Sequence, residues 1–325
     1  MLYQVKVGIL GLEEQGQKYA QLLKHHIKDV TLMGAVGRTQ KELLIAKNEL
    51  YLPYVYSDEK AIMQNHEIDA VCIFGDSTRK PLLAIAAIEA GKHVFIADPV
   101  GLNLEDAESV HKCAQSRPSQ YVMVSSMVQF DAQLNTVKQV IDRGDIGDIK
   151  NISLNSAFFS GLNRRYEISS GSNILDYALD EIELCLWLLN EPITKISVTK
   201  NNDTFLCEGQ TKRFSSLSLI VQPESNMEKS IVKIDGSKGQ IVVSNTNNRS
   251  FKLYSKSGEK TNIYHNNVDG FTFSEYLQLH HFGQTVLGRK RKSANTEIAV
   301  DVLKLALALK MQLANKGTHH LTILL

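Results

Sequence analysis

Gly11, Glu13 and Gly16 stand at the three marked positions of a G-x-G-x-x-G turn, with Leu12 between the first two. Such a turn lets backbone approach a pyrophosphate, and the helix that follows aims its partially positive N-terminus at the phosphates. Here the middle position is Glu13, which puts bulk and negative charge where a phosphate would come. The same residues also read as a plain strand–turn–helix with no ligand. Farther on, Gly37-Arg38-Thr39 closes an apolar run, Val30 to Val36. In a dinucleotide fold an acid at that place meets the adenosine ribose of NAD, whereas an arginine suits the 2′-phosphate of NADP. No acid is present, so Arg38 points to NADP, while Thr39 with Glu42 fits a capping box. Asp176 and Asp180 lie one helical turn apart, on one face of the helix predicted from Ile174 to Leu189. Held close and partly buried, one of two such carboxylates acquires a raised pKa and serves as an acid. Alternatively, both are helix-start carboxylates favoured by the helix dipole. The pairs His25-His26, His280-His281 and His319-His320 suggest metal ligands, but adjacent side chains point apart and no third ligand stands at a sensible spacing. No metal site is expected.

The elements that must position these residues follow from hydrophobic periodicity. Val5, Val7, Ile9 and Leu10 form a short apolar run typical of a buried parallel strand, and Tyr19, Leu22 and Leu23 then share one helix face. Further strands are expected at Val30 to Val36, near Tyr54 to Tyr56, and at Ile68 to Phe74, His93 to Ile96 and Tyr121 to Val124. Helices fall between them: Thr39 to Leu50, Asp58 to Gln64, Pro81 to Ala90 and Asn103 to Ser116. This regular alternation predicts a doubly wound parallel sheet of Rossmann type over residues 1–125. After Ser126 the pattern changes. A helix ends at Arg143 and Gly144, and a strand runs from Ile149 to Ser156. Longer strands, wetter on one face, follow at Ile193–Val198, Phe214–Val221, Lys229–Ile234, Gln240–Ser244 and Phe251–Ser255. They predict a C-terminal α+β domain, residues 126–325, with an open, mainly antiparallel sheet. Two closing helices run from about Phe273 to Leu287 and from Asn295 to Asn315, joined by the basic loop Arg289-Lys290-Arg291-Lys292.

Composition narrows the function classes. The chain has 325 residues, enough for two ordinary domains, and a formal net charge of +1. No global field marks it for nucleic acid or an acidic membrane. The four cysteines, Cys72, Cys113, Cys185 and Cys207, form no C-x-x-C pair and read as free thiols of a reducing compartment. No apolar run reaches about 18 residues, and the N-terminus has no signal-peptide pattern. A cytoplasmic protein with a small-molecule partner is expected.

GILGLEEQG, IDAVCIF, AGKHVFIADP, QFDAQLNTVKQVIDRGDIGDI and GSNILDYALDEIELCLWLLNEP resemble, in order and spacing, the Gfo/Idh/MocA oxidoreductases over roughly residues 5 to 195. The resemblance implies an N-terminal Rossmann domain and a C-terminal substrate domain whose open sheet joins copies into homo-oligomers. It also implies a nicotinamide cofactor and a sugar, a cyclitol or a related substrate. Cofactor contacts would then come from Gly11, Leu12, Glu13, Gly16, Arg38, Thr39, Phe74 and Gly75. Arg165 and Tyr166, in a segment that usually borders the substrate pocket, would meet the substrate. Besides Glu13 in the glycine turn, three motifs depart from the family pattern. Its E-K-P is Ala97-Asp98-Pro99 here. Its D-x-x-x-H is Asp176-x-x-x-Asp180. A histidine often found after the fourth strand is Lys80. Asp98, Lys80, Asp176 and Asp180 are therefore the candidate catalytic groups, with Asp98 free to accept a substrate hydroxyl or to pair with Lys80 or Arg79. The expected function is an NAD(P)-dependent oxidoreductase on a small polyhydroxylated or carbonyl compound. The alternative is a non-catalytic relative that senses a nucleotide or sugar or serves as a partner subunit.

Overall fold

Runs of apolar residues with almost no polar interruption build the first sheet of this computed structural model. Residues 3–155, 175–201, 204–221, 231–244, 250–255, 258, 260–264, 272–290, 295–314 and 323–324 are described. The chain divides into two compact units, one of residues 1–126 and 269–300, the other of 127–268 and 301–325.

In the first unit, β1 (Val5–Leu10), β2 (Val30–Val36), β3 (Tyr54–Tyr56), β4 (Ala70–Ile73), β5 (His93–Ile96) and β6 (Val122–Val124) form one sheet in the order β3-β2-β1-β4-β5-β6. All neighbours are parallel. The order reverses direction between β1 and β4, and in open α/β sheets ligands bind beyond the carboxyl ends of the strands at that place. Every residue of β4 is buried, as a strand covered on both faces requires. The helices are α1 (Glu14–His25), α2 (Gln40–Leu44), α3 (Glu59–Gln64), α4 (Lys80–Glu89) and α5 (Leu104–Ser116). Thr39 caps α2 by accepting from Glu42 N at 3.2 Å, and Glu42 Oε2 accepts from Arg38 N at 2.7 Å. The expected helix to Leu50 is not α-helical throughout: Ile45–Glu49 widens into a π-helical turn, which carries Ile45, Ala46 and Leu50 into the core. The later helix α8 (Thr272–Val286) belongs to this unit because its apolar face joins the same aromatic core. Phe282 packs 5.8 Å from Phe95 and 5.7 Å from Tyr121 between ring centroids.

The second unit is a nine-stranded sheet of β7 (Ile149–Asn155), β8 (Ile193–Asn201), β9 (Thr204–Thr211), β10 (Ser216–Val221), β11 (Ile231–Gly236), β12 (Gly239–Ser244), β13 (Ser250–Ser255), β14 (Lys260–Tyr264) and β15 (Ile323–Leu324). All its pairings are antiparallel except β7 with β10. Ile152, Leu154, Leu217, Leu219, Val232 and Ile234 share the buried face, while Ile220 and Ile231 point to the exposed one. The helices are α6 (Ala132–Asp142), α7 (Leu175–Leu189) and most of α9 (Asn295–Ala314), whose Gln312 bonds the β8 backbone at Val198 N and Ile196 O. Periodicity missed three strands: β9, β14 and the short β15. Phe214 does not open a strand. It stands exposed at the β9–β10 turn with φ of 64°, and β10 begins at Ser216.

Candidate active site

The glycine turn after β1 has the shape that a phosphate needs. Gly11 has φ of +88°, and a Cβ there would lie 2.8 Å from Phe74 O. At Gly16 a Cβ would lie 2.0 Å from Gly11 O, so α1 meets the turn more closely than any side chain permits. Glu13 is the N-cap of α1, its side chain makes no capping bond, and it is exposed. Its carboxylate rests against the neighbouring turn: its Oε2 lies 2.6 Å from where a Cβ on Gly75 would be. Gly75 itself has φ of +84°. Two left-handed glycines thus make a concave floor, and a carboxylate leans over it. The turn backbone and the helix N-terminus fit a dinucleotide phosphate. Glu13 is the one misfit, and an exposed side chain can rotate away.

At the turn itself, a cleft is lined by residues that include Gly11, Glu13, Val36, Arg38, Phe74, Asp76 and Arg79. Arg38 is exposed, with its backbone fixed by the Glu42 bond. Asp76 was not anticipated as a site residue. Its Oδ1 accepts from Thr78 N at 2.9 Å and Thr78 Oγ1 at 2.7 Å. Those two bonds, with Arg38 and Arg79 nearby, hold its carboxyl below the usual range. The signal available in the sequence was an Asp-x-Thr turn directly after a buried strand.

Lys80 opens α4 and is 2% exposed, an unusual burial for an ammonium. Its Nζ donates to Ala97 O at 2.8 Å. Burial pushes its pKa down to about 8, against the opposing charges of Asp98 and Asp76. Asp98 follows Ala97 and donates its N–H to Ser125 Oγ at 2.8 Å. The structure thus brings Lys80 and Asp98 together at the carboxyl end of β5. Arg79 turns elsewhere, pairing with Glu59 at 2.9 Å.

In the second unit, Asp180 is buried on α7 beside Glu181. Burial, reinforced by the charge of Asp180, pushes the Glu181 carboxyl well above the ordinary range. Asp176 is on the same helix, but its side chain, with Arg165 and Tyr166, lies outside the described residues. Among the described residues no group of histidine, cysteine, aspartate and glutamate could hold a metal. All four cysteines are free thiols.

Residues 5–126 match the profile of an oxidoreductase family with an NAD-binding Rossmann fold. A myo-inositol 2-dehydrogenase of Thermotoga maritima is 22% identical over 275 residues, which cover 80% of this chain and 81% of that enzyme. An inositol 2-dehydrogenase/D-chiro-inositol 3-dehydrogenase of Lacticaseibacillus casei is 23% identical, over 60% of this chain and 56% of that enzyme. The crystal structure of a scyllo-inositol dehydrogenase from Lactobacillus casei, with bound NAD(H) and scyllo-inositol, superposes with a TM-score of 0.77. It covers 95% of this chain and 96% of that one at 22% identity, which establishes a shared fold. Among the described residues, no helix is long and apolar enough to cross a membrane.

Proposed function

We propose that the chain, whose residues 5–126 match an oxidoreductase family with an NAD-binding Rossmann fold, is a Gfo/Idh/MocA oxidoreductase that oxidises or reduces a polyhydroxylated ring compound, a cyclitol or sugar, with a nicotinamide cofactor. The observation that carries the reading is the two-glycine floor at the switch point of the parallel sheet, with a buried lysine next to an aspartate at the end of β5. Inositol dehydrogenases among the relatives support the substrate class. The bound cofactor supplies the hydride acceptor or donor. Gly11, Leu12, Gly16, Phe74 and Gly75 would form the floor that holds it, and Arg38 and Thr39 would meet its adenosine end.

The protein's own residues deal with the proton. In the direction of oxidation the substrate hydroxyl loses a hydride from carbon and a proton from oxygen. Asp98, half-buried, accepts that proton, and the Lys80 amine beside it takes it up in turn. Lys80 must be neutral to do so, and its pKa of about 8 makes the neutral form accessible near physiological pH. Asp176 and Asp180 are the carboxylates proposed to grip or protonate substrate oxygens, and Arg165 and Tyr166 complete the substrate contacts. Residues 127–268 and 301–325 are proposed as the substrate domain of a cytoplasmic enzyme. The exposed sheet face with Ile220 and Ile231 is proposed to join copies of the chain.

Arg38 and the absence of an acid at the end of β2 support NADP over NAD. Calorimetric titration with each cofactor is expected to show tighter binding of NADP. Tighter binding of NAD would overturn the role given to Arg38. A second reading, a non-catalytic relative, is favoured by the Glu13 carboxylate over the phosphate floor, and binding of neither cofactor at millimolar concentration would select it.

A further inference from the structure

Arg38 is not the only guanidinium at the cleft. It follows β2, and Arg79 stands at the N-cap of α4 beyond β4. In the sheet, β2 and β4 flank β1 on opposite sides. Their loops therefore rim one hollow above the end of β1, and both arginines line it over a floor of Leu10, Val36 and Phe74. Three carboxylates share the cleft: Glu13 lies at its glycine-turn end, and the other two are already hydrogen-bonded. Glu59 Oε1 accepts from Arg79 Nη2 at 2.9 Å, and Asp76 Oδ1 takes both Thr78 donors. A guanidinium has five donors, so the bond to Glu59 orients Arg79 without exhausting it. The guanidinium of Arg38 makes no hydrogen bond or ion pair among the described residues. One unused and one partly used planar fork in the same cleft match a dianionic phosphate monoester better than a neutral ribose diol.

We propose that Arg79 is a second specificity-determining residue, which closes with Arg38 on the 2′-phosphate of NADP while Glu59 holds its fork in place. This rests on the NADP reading and extends it to a residue of another loop. The half-cofactors 2′,5′-ADP and 5′-AMP isolate the question, because both carry the same 5′-phosphate, so any encounter with Glu13 is common to the two and only the 2′-phosphate differs.

The test is calorimetric titration of both probes into the wild-type protein and into the Arg38→Ala, Arg79→Ala and Arg79→Lys variants, each checked for an unchanged melting curve. The wild type is expected to favour 2′,5′-ADP over 5′-AMP by roughly 10–100-fold, the scale of charge-assisted hydrogen bonds. Arg79→Ala removes most of that preference and shifts 5′-AMP binding less than about threefold, since neutral contacts remain. Arg79→Lys restores part of it, because a point charge replaces a fork. If Arg38→Ala abolishes the preference and Arg79→Ala leaves it intact, the clamp is overturned and the NADP reading survives. If the wild type shows no preference at all, both fall.

Discussion

Lys80→Met is expected to lower kcat for the oxidation by about 10²–10⁴-fold, the usual contribution of a positioned proton acceptor. The profile should also change shape. In the wild type, activity rises with pH through about 8, where the buried amine loses its proton. The variant loses that limb. Stability separates this effect from misfolding. The folded-state pKa of Lys80 lies below its ordinary value of 10.5, so between about pH 8 and 10.5 the unfolded chain binds more protons and stability rises with pH. Methionine removes that slope and also the cost of burying an ammonium, so the melting temperature should hold or increase. An unchanged pH limb in Lys80→Met would strip Lys80 of its role. Asp180→Asn, measured in the same way, asks whether the α7 carboxylate takes part. An unaltered pH profile there would leave it with substrate binding at most.

Glu13→Gly is expected to tighten cofactor binding by about 10–100-fold. A carboxylate about 4 Å from a phosphate charge costs between ~1 kcal/mol in water and ~4 kcal/mol at a protein surface, and each 1.4 kcal/mol is about tenfold. Glycine is an acceptable N-cap, so α1 should survive the change. Glu13→Gln keeps the bulk and removes the charge. If repulsion dominates, it should recover most of the gain, and the difference from wild type should shrink at high salt. Equal affinity of all three proteins at low salt would mean that the diphosphate does not pass near residue 13.

The first unit was largely legible because its signals are local. A buried parallel strand is a continuous apolar run, and IDAVCIF carries that pattern with nothing to contradict it. Thr39 and Glu42 announced their cap three residues apart, and in the structure Thr39 accepts from Glu42 N while the Glu42 carboxylate reaches one residue further back, to Arg38 N. The second unit was harder to read. TFLCEGQT, which forms β9, alternates only weakly and holds Gly209 and Glu208, so its place depends on pairing with β8 and β10 rather than on its own composition. The site was legible as residue types and not as contacts. Lys80 and Asp98 are eighteen positions apart, and only the parallel order of β4 and β5 makes them neighbours. Arg79 offered nothing in the sequence to separate it from any loop arginine. Its place in the same cleft as Arg38 comes from the crossover at β1.

The most direct measurement is turnover by the wild-type protein, followed through the absorbance of reduced nicotinamide, across a panel of inositols, aldoses and keto acids with each cofactor. Cofactor-dependent oxidation of at least one cyclitol or sugar, faster with NADP and rising with pH through about 8, is the expected result. No turnover of any polyol, by a protein that calorimetry shows to bind the cofactor, would contradict the assignment as an oxidoreductase of polyhydroxylated substrates.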